Sequence, residues 1–340
     1  MCGIFGLFNL ESDEFINEIK FKNALDKLNH RGPDANEIRK FNNDGILGHT
    51  RLSIIDLKDN NNQPFGIYNR YWIVFNGEIY NYIELREELK KKGIKFRTNG
   101  DTEVLLYSYI VWGEDCVLNF NGMWSFVIYD SIEKKIFCSR DRFGVKPFNY
   151  CLNQGQFIFS SEIKAITTYD PSLAEPEYNM ISNFCRASIG AQNKQTWFKK
   201  ISRLEPGNNL IINNGNIYKN RFWKYPNQIN KKDKFEDAQK KYFSIFKDSV
   251  KIRMRSDVPL GLTLSSGIDS NSIAYMMHII DPSNHKSFTS KFKNKDKFQT
   301  SESIFSKSMQ IDESLSAKKV AHSINLEGNI VETNYDNFIK

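Results

Sequence analysis

The chain opens Met1-Cys2-Gly3-Ile4-Phe5, and the second residue is the first that could do covalent chemistry. Cys2 is small, so removal of the initiator methionine is expected. Its thiol and α-amine would then share one residue. An α-amine titrates near ~8, so around neutrality a useful fraction is free base and can take the thiol proton directly or through one water. This is the N-terminal nucleophile arrangement, in which base and nucleophile need no third residue to bring them together. A cysteine at position 2 is weak evidence alone, because small residues often follow methionine. A second stretch, Ser256-Asp257-Val258-Pro259-Leu260-Gly261-Leu262-Thr263-Leu264-Ser265-Ser266-Gly267-Ile268-Asp269-Ser270, reads as a buried strand, a loop of small residues and a helix. That geometry aims backbone N–H groups and the helix dipole at an anion. There is no Gly-Lys-Ser/Thr, so it is not a Walker loop. By itself it is equally a serine-rich turn.

Cys2 keeps particular company. His30-Arg31-Gly32-Pro33-Asp34 follows it, then Gly48-His49-Thr50-Arg51-Leu52-Ser53-Ile54-Ile55-Asp56, Asn76-Gly77-Glu78-Ile79-Tyr80-Asn81 and Gly100-Asp101-Thr102-Glu103. Arg140-Asp141-Arg142-Phe143-Gly144-Val145-Lys146-Pro147 and Ser160-Ser161-Glu162-Ile163-Lys164-Ala165 complete the series. In this order and spacing, from Cys2 to about Tyr225, they resemble the class II glutamine amidotransferase domain of glutamine-hydrolysing asparagine synthetases. The resemblance implies an N-terminal nucleophile hydrolase sandwich, α+β in four layers (αββα), that releases ammonia from glutamine. Glutamine is a zwitterion with a side-chain amide. Its site needs a cation for the carboxylate, an anion for the ammonium and a thiolate at the amide carbon. At the matching positions the family implies Arg51 as a bidentate fork, Asp101 with Glu78 for the ammonium, and Asn76-Gly77 as oxyanion donors. Leu52, Ile54 and Ile55 are implied in the same substrate site. The plain alternatives are a strand arginine, a hairpin turn at Asn76-Gly77 and a helix cap at Asp101.

The second stretch resembles the pyrophosphate loop of ATP pyrophosphatases, Ser-Gly-Gly-x-Asp-Ser, with Ser266 where that family has Gly. A serine restricts the backbone if φ must be positive. The resemblance implies cleavage of ATP between α- and β-phosphates and adenylation of a carboxylate. Leu264, Ser265, Gly267 and Ser270 would hold the nucleotide, with Asp269 acting near Mg2+ through ATP. Ser290 stands on the strand that holds adenine, where the family carries an apolar residue. Asp312-Glu313, Ala317 and Val320-Ala321 match the following helix. The expected overall reaction converts aspartate, ATP and glutamine to asparagine, AMP, pyrophosphate and glutamate. No tightly bound cofactor is expected, and no residue set reads as a resident metal site. Two alternatives stay open: a relative of the same architecture amidating another carboxylate, such as a polysaccharide sugar acid, and a glutamine-binding remnant without synthetase activity.

Elements must position these residues. Ile4 to Phe8, Leu47 to Ile55, Tyr71 to Phe75, Trp124 to Tyr129, Lys135 to Ser139, Gln156 to Ser160 and Asn209 to Ile212 read as strands. Tyr82 to Lys92 and Thr102 to Trp112 read as helices, the latter with Asp101 as N-cap. Pro226 to Asp237 is polar and reads as a linker between a domain over 2–225 and a second over 238–340. In the second, helix 238–255, strand 260–264, helix 271–280, strand 287–292, helix 312–324 and strand 329–332 follow one another. That is the β-α-β-α-β half-unit of a parallel sheet, an incomplete α/β nucleotide-binding domain. It lacks the family's later Ser-Gly-Glu-Gly loop, so the chain is expected to be cut short.

At 340 residues two domains are the prior, at roughly 150 each. With 40% hydrophobic and 26% charged residues and a mean hydropathy of −0.52, the chain reads as globular. The five cysteines are sparse and never spaced CxxC, which speaks against a disulfide scaffold or zinc cage and for a reducing, cytoplasmic home. Cys116, Cys138, Cys151 and Cys185 lie in apolar contexts and are expected to be buried. No apolar run nears the ~18 residues of a membrane span. The net charge of +7 is scattered in short runs, not gathered as nucleic-acid binding requires. The expected partners are therefore glutamine, ATP and aspartate, with neither nucleic acid nor membrane. A homodimer is a candidate assembly.

Overall fold

A computed structural model describes residues 1–11, 15–187, 190, 194–227, 234–283, 285–292 and 313–333. The chain divides into two compact units, Met1–Ile229 and Asn230–Lys340.

The first unit is built on two six-stranded antiparallel sheets. In spatial order the first sheet holds β10 (Ser202–Arg203), β8 (Asn149–Asn153), β9 (Gln156–Ser160), β1 (Gly3–Asn9), β3 (Gly45–Arg51) and β2 (Ala35–Phe41). The second holds β12 (Asn216–Arg221), β11 (Asn208–Asn213), β7 (Lys135–Arg140), β6 (Gly122–Asp130), β5 (Tyr71–Ile79) and β4 (Phe65–Ile67). The period-2 alternation of the strands sorts their side chains into three cores. Ile4 and Phe8 of β1 meet Val74, Val127 and Leu210 between the sheets. Phe5 and Leu7 face α1 (Glu18–Asp26) and α5 (Ile163–Tyr169) on the outside of the first sheet. Phe75, Phe126 and Phe137 pack under α2 (Tyr82–Lys91) and α3 (Asp101–Trp112) on the outside of the second. This is the four-layered N-terminal nucleophile hydrolase sandwich. Short helices α4 (Cys116–Asn119) and α6 (Tyr178–Ala187) lie on connections.

Several expectations are corrected. The strand read over Leu47 to Ile55 ends at Arg51, and Asn76-Gly77 lies inside β5, not in a hairpin turn. Strands β2, β4, β8, β10 and β12 and helices α1, α5 and α6 carried no assignment from the sequence. Gly100 is the N-cap of α3, and Asp101 is its first helical residue. Cys185 is exposed, whereas Cys116, Cys138 and Cys151 are buried.

The second unit carries a three-stranded sheet of β13 (Gly261–Thr263), β14 (Lys286–Phe292) and β15 (Glu327–Thr333), paired in parallel. Helices α7 (Phe235–Arg253), α8 (Ile268–Ile280) and α9 (Ser314–Ser323) accompany it. Leu262, Leu264, Ala274, Ala317, Ala321 and Leu326 form its small core. Gly261 and Thr263 are exposed, so β13 is less buried than its composition suggests. Asp312, expected to open the last helix, lies outside the described residues.

Candidate functional site

The alternation that builds the first unit also builds its pocket. Cys2 stands two residues before Ile4, Asn76 two after Val74, and Arg51 four after Leu47. Ile4, Val74 and Leu47 all face the layer between the sheets. All three chemical residues therefore point into the same end of that layer. A cavity of about 340 Å³ opens there, and Cys2, Arg51, Leu52, Ile54, Ile55, Asn76, Gly77, Glu78 and Asp101 all line it.

Cys2 is fixed from two sides. Its Sγ accepts from the Leu52 N–H at 3.4 Å and lies 3.6 Å from the Leu52 carbonyl oxygen. Its own carbonyl accepts from Arg31 Nε at 2.9 Å. Arg31 is clamped in turn by Glu162 at 2.8 Å, which also meets Lys164 and His30. Hydrogen bonds from Arg31, Lys164 and His30 hold the Glu162 carboxyl at about 2 against the pull of its partial burial. Burial pushes the Cys2 thiol up and the amine at the chain start down.

The edge of β5 supplies the next part. Strand β4 pairs with β5 only as far as Ile73, so the edge beyond is open. The Phe75 N–H goes to Gln63 Oε1 at 2.6 Å, and the Ile79 N–H goes to Asp101 Oδ2 at 3.0 Å. The Phe75 carbonyl takes the His49 Nε2 proton at 3.1 Å. By the same alternation the Gly77 N–H, between Phe75 and Ile79, projects from this edge with no strand to receive it. A side chain at Gly77 would run into the Met123 carbonyl and the Phe75 ring, so the glycine is needed for packing against β6. Beside it, Asn76 is fully buried, and neither its Nδ2 nor its Oδ1 has a partner. A buried amide without partners costs about 1–3 kcal/mol, so this one is held ready for something that enters the pocket.

Arg51 donates through Nη1 to the Lys58 carbonyl at 2.9 Å and Asn62 Oδ1 at 2.6 Å, and through Nη2 to the Asp56 carbonyl. Three of the guanidinium's five N–H donors are thus spent on the loop after β3. Nε–H and one Nη2–H remain for a ligand. Asp101 is buried, and burial lifts its carboxyl to about 7 despite N–H donors from Ile79, its own residue and Thr102. Burial likewise raises Glu78, with Lys146 opposing. Two carboxyls that resist ionisation in the empty pocket suit a cation arriving with its own charge.

Sequence reasoning missed Gln63, Thr102 and Lys146, which also line the cavity. Gln63 ties β5 to α3, its Nε2 donating to Thr102 Oγ1 at 3.1 Å. Lys146 was visible only as part of the Arg140 to Pro147 motif, with no role attached.

In the second unit the serine loop joins β13 to α8, with Gly267 as N-cap at φ −71°. Ser266 is not among the positive-φ residues, so the serine in place of glycine brings no backbone strain. Ser265 Oγ and Ser270 Oγ lie 2.9 Å apart, and Ser265 Oγ accepts the Gly267 N–H at 3.1 Å. The Ser266 N–H donates to the Glu313 carboxylate at 3.1 Å, so a loop donor already meets an anionic oxygen. Leu264 is buried, whereas Asp269 and Ser290 are exposed. No metal-ligand cluster occurs among the described residues.

The family model described as a glutamine amidotransferase domain matches residues 1–223, and that described as asparagine synthase matches residues 241–340. The chain is 39% identical over 307 residues to the putative asparagine synthetase (glutamine-hydrolyzing) 2 of Methanocaldococcus jannaschii, covering 82% of this chain and 57% of that protein. It is 34% identical over 278 residues to asparagine synthetase (glutamine-hydrolyzing) 3 of Bacillus subtilis, covering 80% and 44%. The chain thus spans about half the length of these curated relatives. Among solved structures it resembles the glutamine phosphoribosylpyrophosphate amidotransferase from B. subtilis complexed with ADP and GMP. That match has a TM-score of 0.50 at 16% identity and covers 97% of this chain and 81% of the other. At that identity the likeness speaks for the fold alone.

Proposed function

Because the chain belongs to the glutamine amidotransferase family across residues 1–223, we propose that Cys2, once Met1 is removed, hydrolyses glutamine to glutamate and ammonia. The α-amine of Cys2 takes the thiol proton, and the sulfur attacks the amide carbon of glutamine. The resulting oxyanion accepts hydrogen bonds from Asn76 Nδ2 and the Gly77 N–H. The amine passes its proton to the departing nitrogen, ammonia leaves, and a thioester remains. Water attacks the thioester, the amine again taking a proton, and glutamate is released. Arg51 receives the substrate carboxylate on its two spare N–H groups. Asp101, with Glu78, receives the ammonium. Leu52, Ile54 and Ile55 line the substrate chain.

The observation that carries this reading is the orphaned Asn76 amide in one cavity with the Cys2 thiol. Cys2→Ala is expected to abolish glutamate release while the circular dichroism spectrum stays unchanged. Undiminished release would remove the nucleophile assignment, and so would mass spectrometry of active protein that still carries Met1.

The names of the curated relatives support a further step, in which the ammonia reaches an adenylated aspartate to give asparagine, AMP and pyrophosphate. Ser265, Gly267 and Ser270 would cradle the phosphates of ATP with Leu264 beneath, and the Ser266 N–H would exchange the Glu313 carboxylate for a phosphate oxygen. Mg2+ arriving with ATP neutralises phosphate charge, and Asp269 is the carboxylate able to act near it. Ser290 would offer a hydroxyl at the adenine wall. No helix among the described residues is long and apolar enough to cross a membrane. The proposal places the enzyme in the cytoplasm, working on small molecules.

A further inference from the structure

Lys146 is 4% exposed and lines the cavity with Met1, Cys2 and Glu78. Its ammonium has no hydrogen bond or ion pair among the described residues. A buried cation without a partner is costly, and most lysines escape that cost by reaching for solvent. This one is held back by the loop that carries it. Asp141 Oδ1 accepts the N–H groups of Phe143 and Val145, both at 3.0 Å, and Asp141 Oδ2 accepts that of Lys146 at 3.0 Å. Arg140 donates to the carbonyls of Lys146 at 2.7 Å and Gly144 at 2.8 Å. Gly144 supplies the left-handed turn, φ +64°.

The pocket explains why a cation should be kept there. Its two carboxyls, Glu78 and Asp101, suit the ammonium of an amino-acid substrate. Glu78, once ionised, would also favour the protonated form of the amine at the chain start, in which it is no base. A fixed positive charge beside the amine offsets that effect. We infer that Lys146 is a positioning residue for the nucleophile, whose charge keeps the α-amine of Cys2 a free base near neutrality and steadies the thiolate once the proton has moved.

This rests on the reading of Cys2 as an N-terminal nucleophile. The groups that face Lys146 are Glu78, Cys2, Arg31 and Asp141. The α-amine of Met1, one residue ahead of Cys2 in the same cavity, is lowered first by burial, with Lys146 and Arg31 pulling the same way and Cys2 and Glu78 opposing. Arg31 is neutralised by its ion pair with Glu162, so of these two cations Lys146 is the one without an ion pair among the described residues.

The test is the pH dependence of kcat for glutamine hydrolysis at saturating glutamine. There Asp101 is committed to the substrate and its titration appears in KM instead. The acidic limb of the unaltered chain is expected below the ~8 of an ordinary α-amine. In Lys146→Met it should move up by about one pH unit, the order of a single charge lost from the same cavity, and Lys146→Arg should bring it back. An unmoved limb in Lys146→Met overturns the inference. So does an unmoved limb with a raised KM, which would make Lys146 a substrate contact. Should Lys146→Met fail to fold, the unaltered chain decides: a limb at or above ~8 leaves no lowered amine to explain. Failure of the underlying reading looks different, because Cys2→Ala would then keep the activity of the unaltered chain.

Discussion

A carboxyl group buried as deeply as that of Asp101 keeps its proton until the pH reaches about 7, whereas its ordinary value is 3.8. The folded chain therefore binds this proton more tightly than the unfolded chain. The stability contributed by this group falls as pH rises from ~4 to ~7 and is gone above that, a loss of at most about 4 kcal/mol at ~1.4 kcal/mol per unit. Asp101→Asn cannot ionise. It should melt higher than the unaltered protein at pH 8, by roughly 4–8 °C for about 2 kcal/mol recovered, and no higher at pH 4. Thermal scans at the two pH values check this, and equal melting at pH 8 would mean the carboxylate is accommodated without cost. The same variant should raise KM for glutamine by roughly 10- to 150-fold, since a charge-assisted hydrogen bond worth ~1.5–3 kcal/mol is lost. The gain in stability and the loss of binding then have one origin, a charge kept in a dry place for a partner that comes and goes.

Strand β5 makes the site by being longer than its neighbour. Where β4 stops, side chains of Gln63, His49 and Asp101 take over the edge, and Gly77 is left facing the cavity. Gly77→Ala drives a methyl group into the Met123 carbonyl and the Phe75 ring. It should destabilise the protein by about 1–3 kcal/mol, the usual range for overpacking, as read from chemical denaturation. A denaturation midpoint unchanged by this substitution would mean β5 and β6 can part at no cost. The expected strand Tyr71 to Phe75 was real but too short, because Asn76-Gly77 reads as a turn dipeptide until a packed neighbour is known. Strands β2 and β12 escaped notice for another reason. Ala-Asn-Glu-Ile-Arg-Lys-Phe and Asn-Ile-Tyr-Lys-Asn-Arg are edge strands, where charge guards against stray pairing and erases the alternation that betrays inner strands. Cys2, Asn76-Gly77, Arg51 and Asp101, which line one cavity, could be singled out because each is one residue type at a motif position. Gln63 and Lys146 were not, because their roles come from neighbours distant in sequence.

At the scale of the whole molecule, the proposed function gives the two units separable chemistry. Asp269→Ala, tested in a version continuing to the length of the curated relatives, should stop AMP formation and leave glutamate release within about twofold, because sites that share no partners act additively. Loss of glutamate release as well would mean the phosphate loop and the thiol site do not work as independent parts. The parallel β-α-β-α-β order was readable because apolar strand segments and amphipathic helices alternate in the sequence there, even though β13 and β15 are edge strands. Strand β1 runs as an inner strand between β9 and β3, and the residue ahead of Cys2 already lines the cavity. Any affinity handle fused at that end would have to leave through the opening by which the nitrogen donor enters. On the proposed mechanism such a fusion would obstruct the cavity and cap the amine proposed as base. Preparations meant to be active must carry their handle at the opposite terminus.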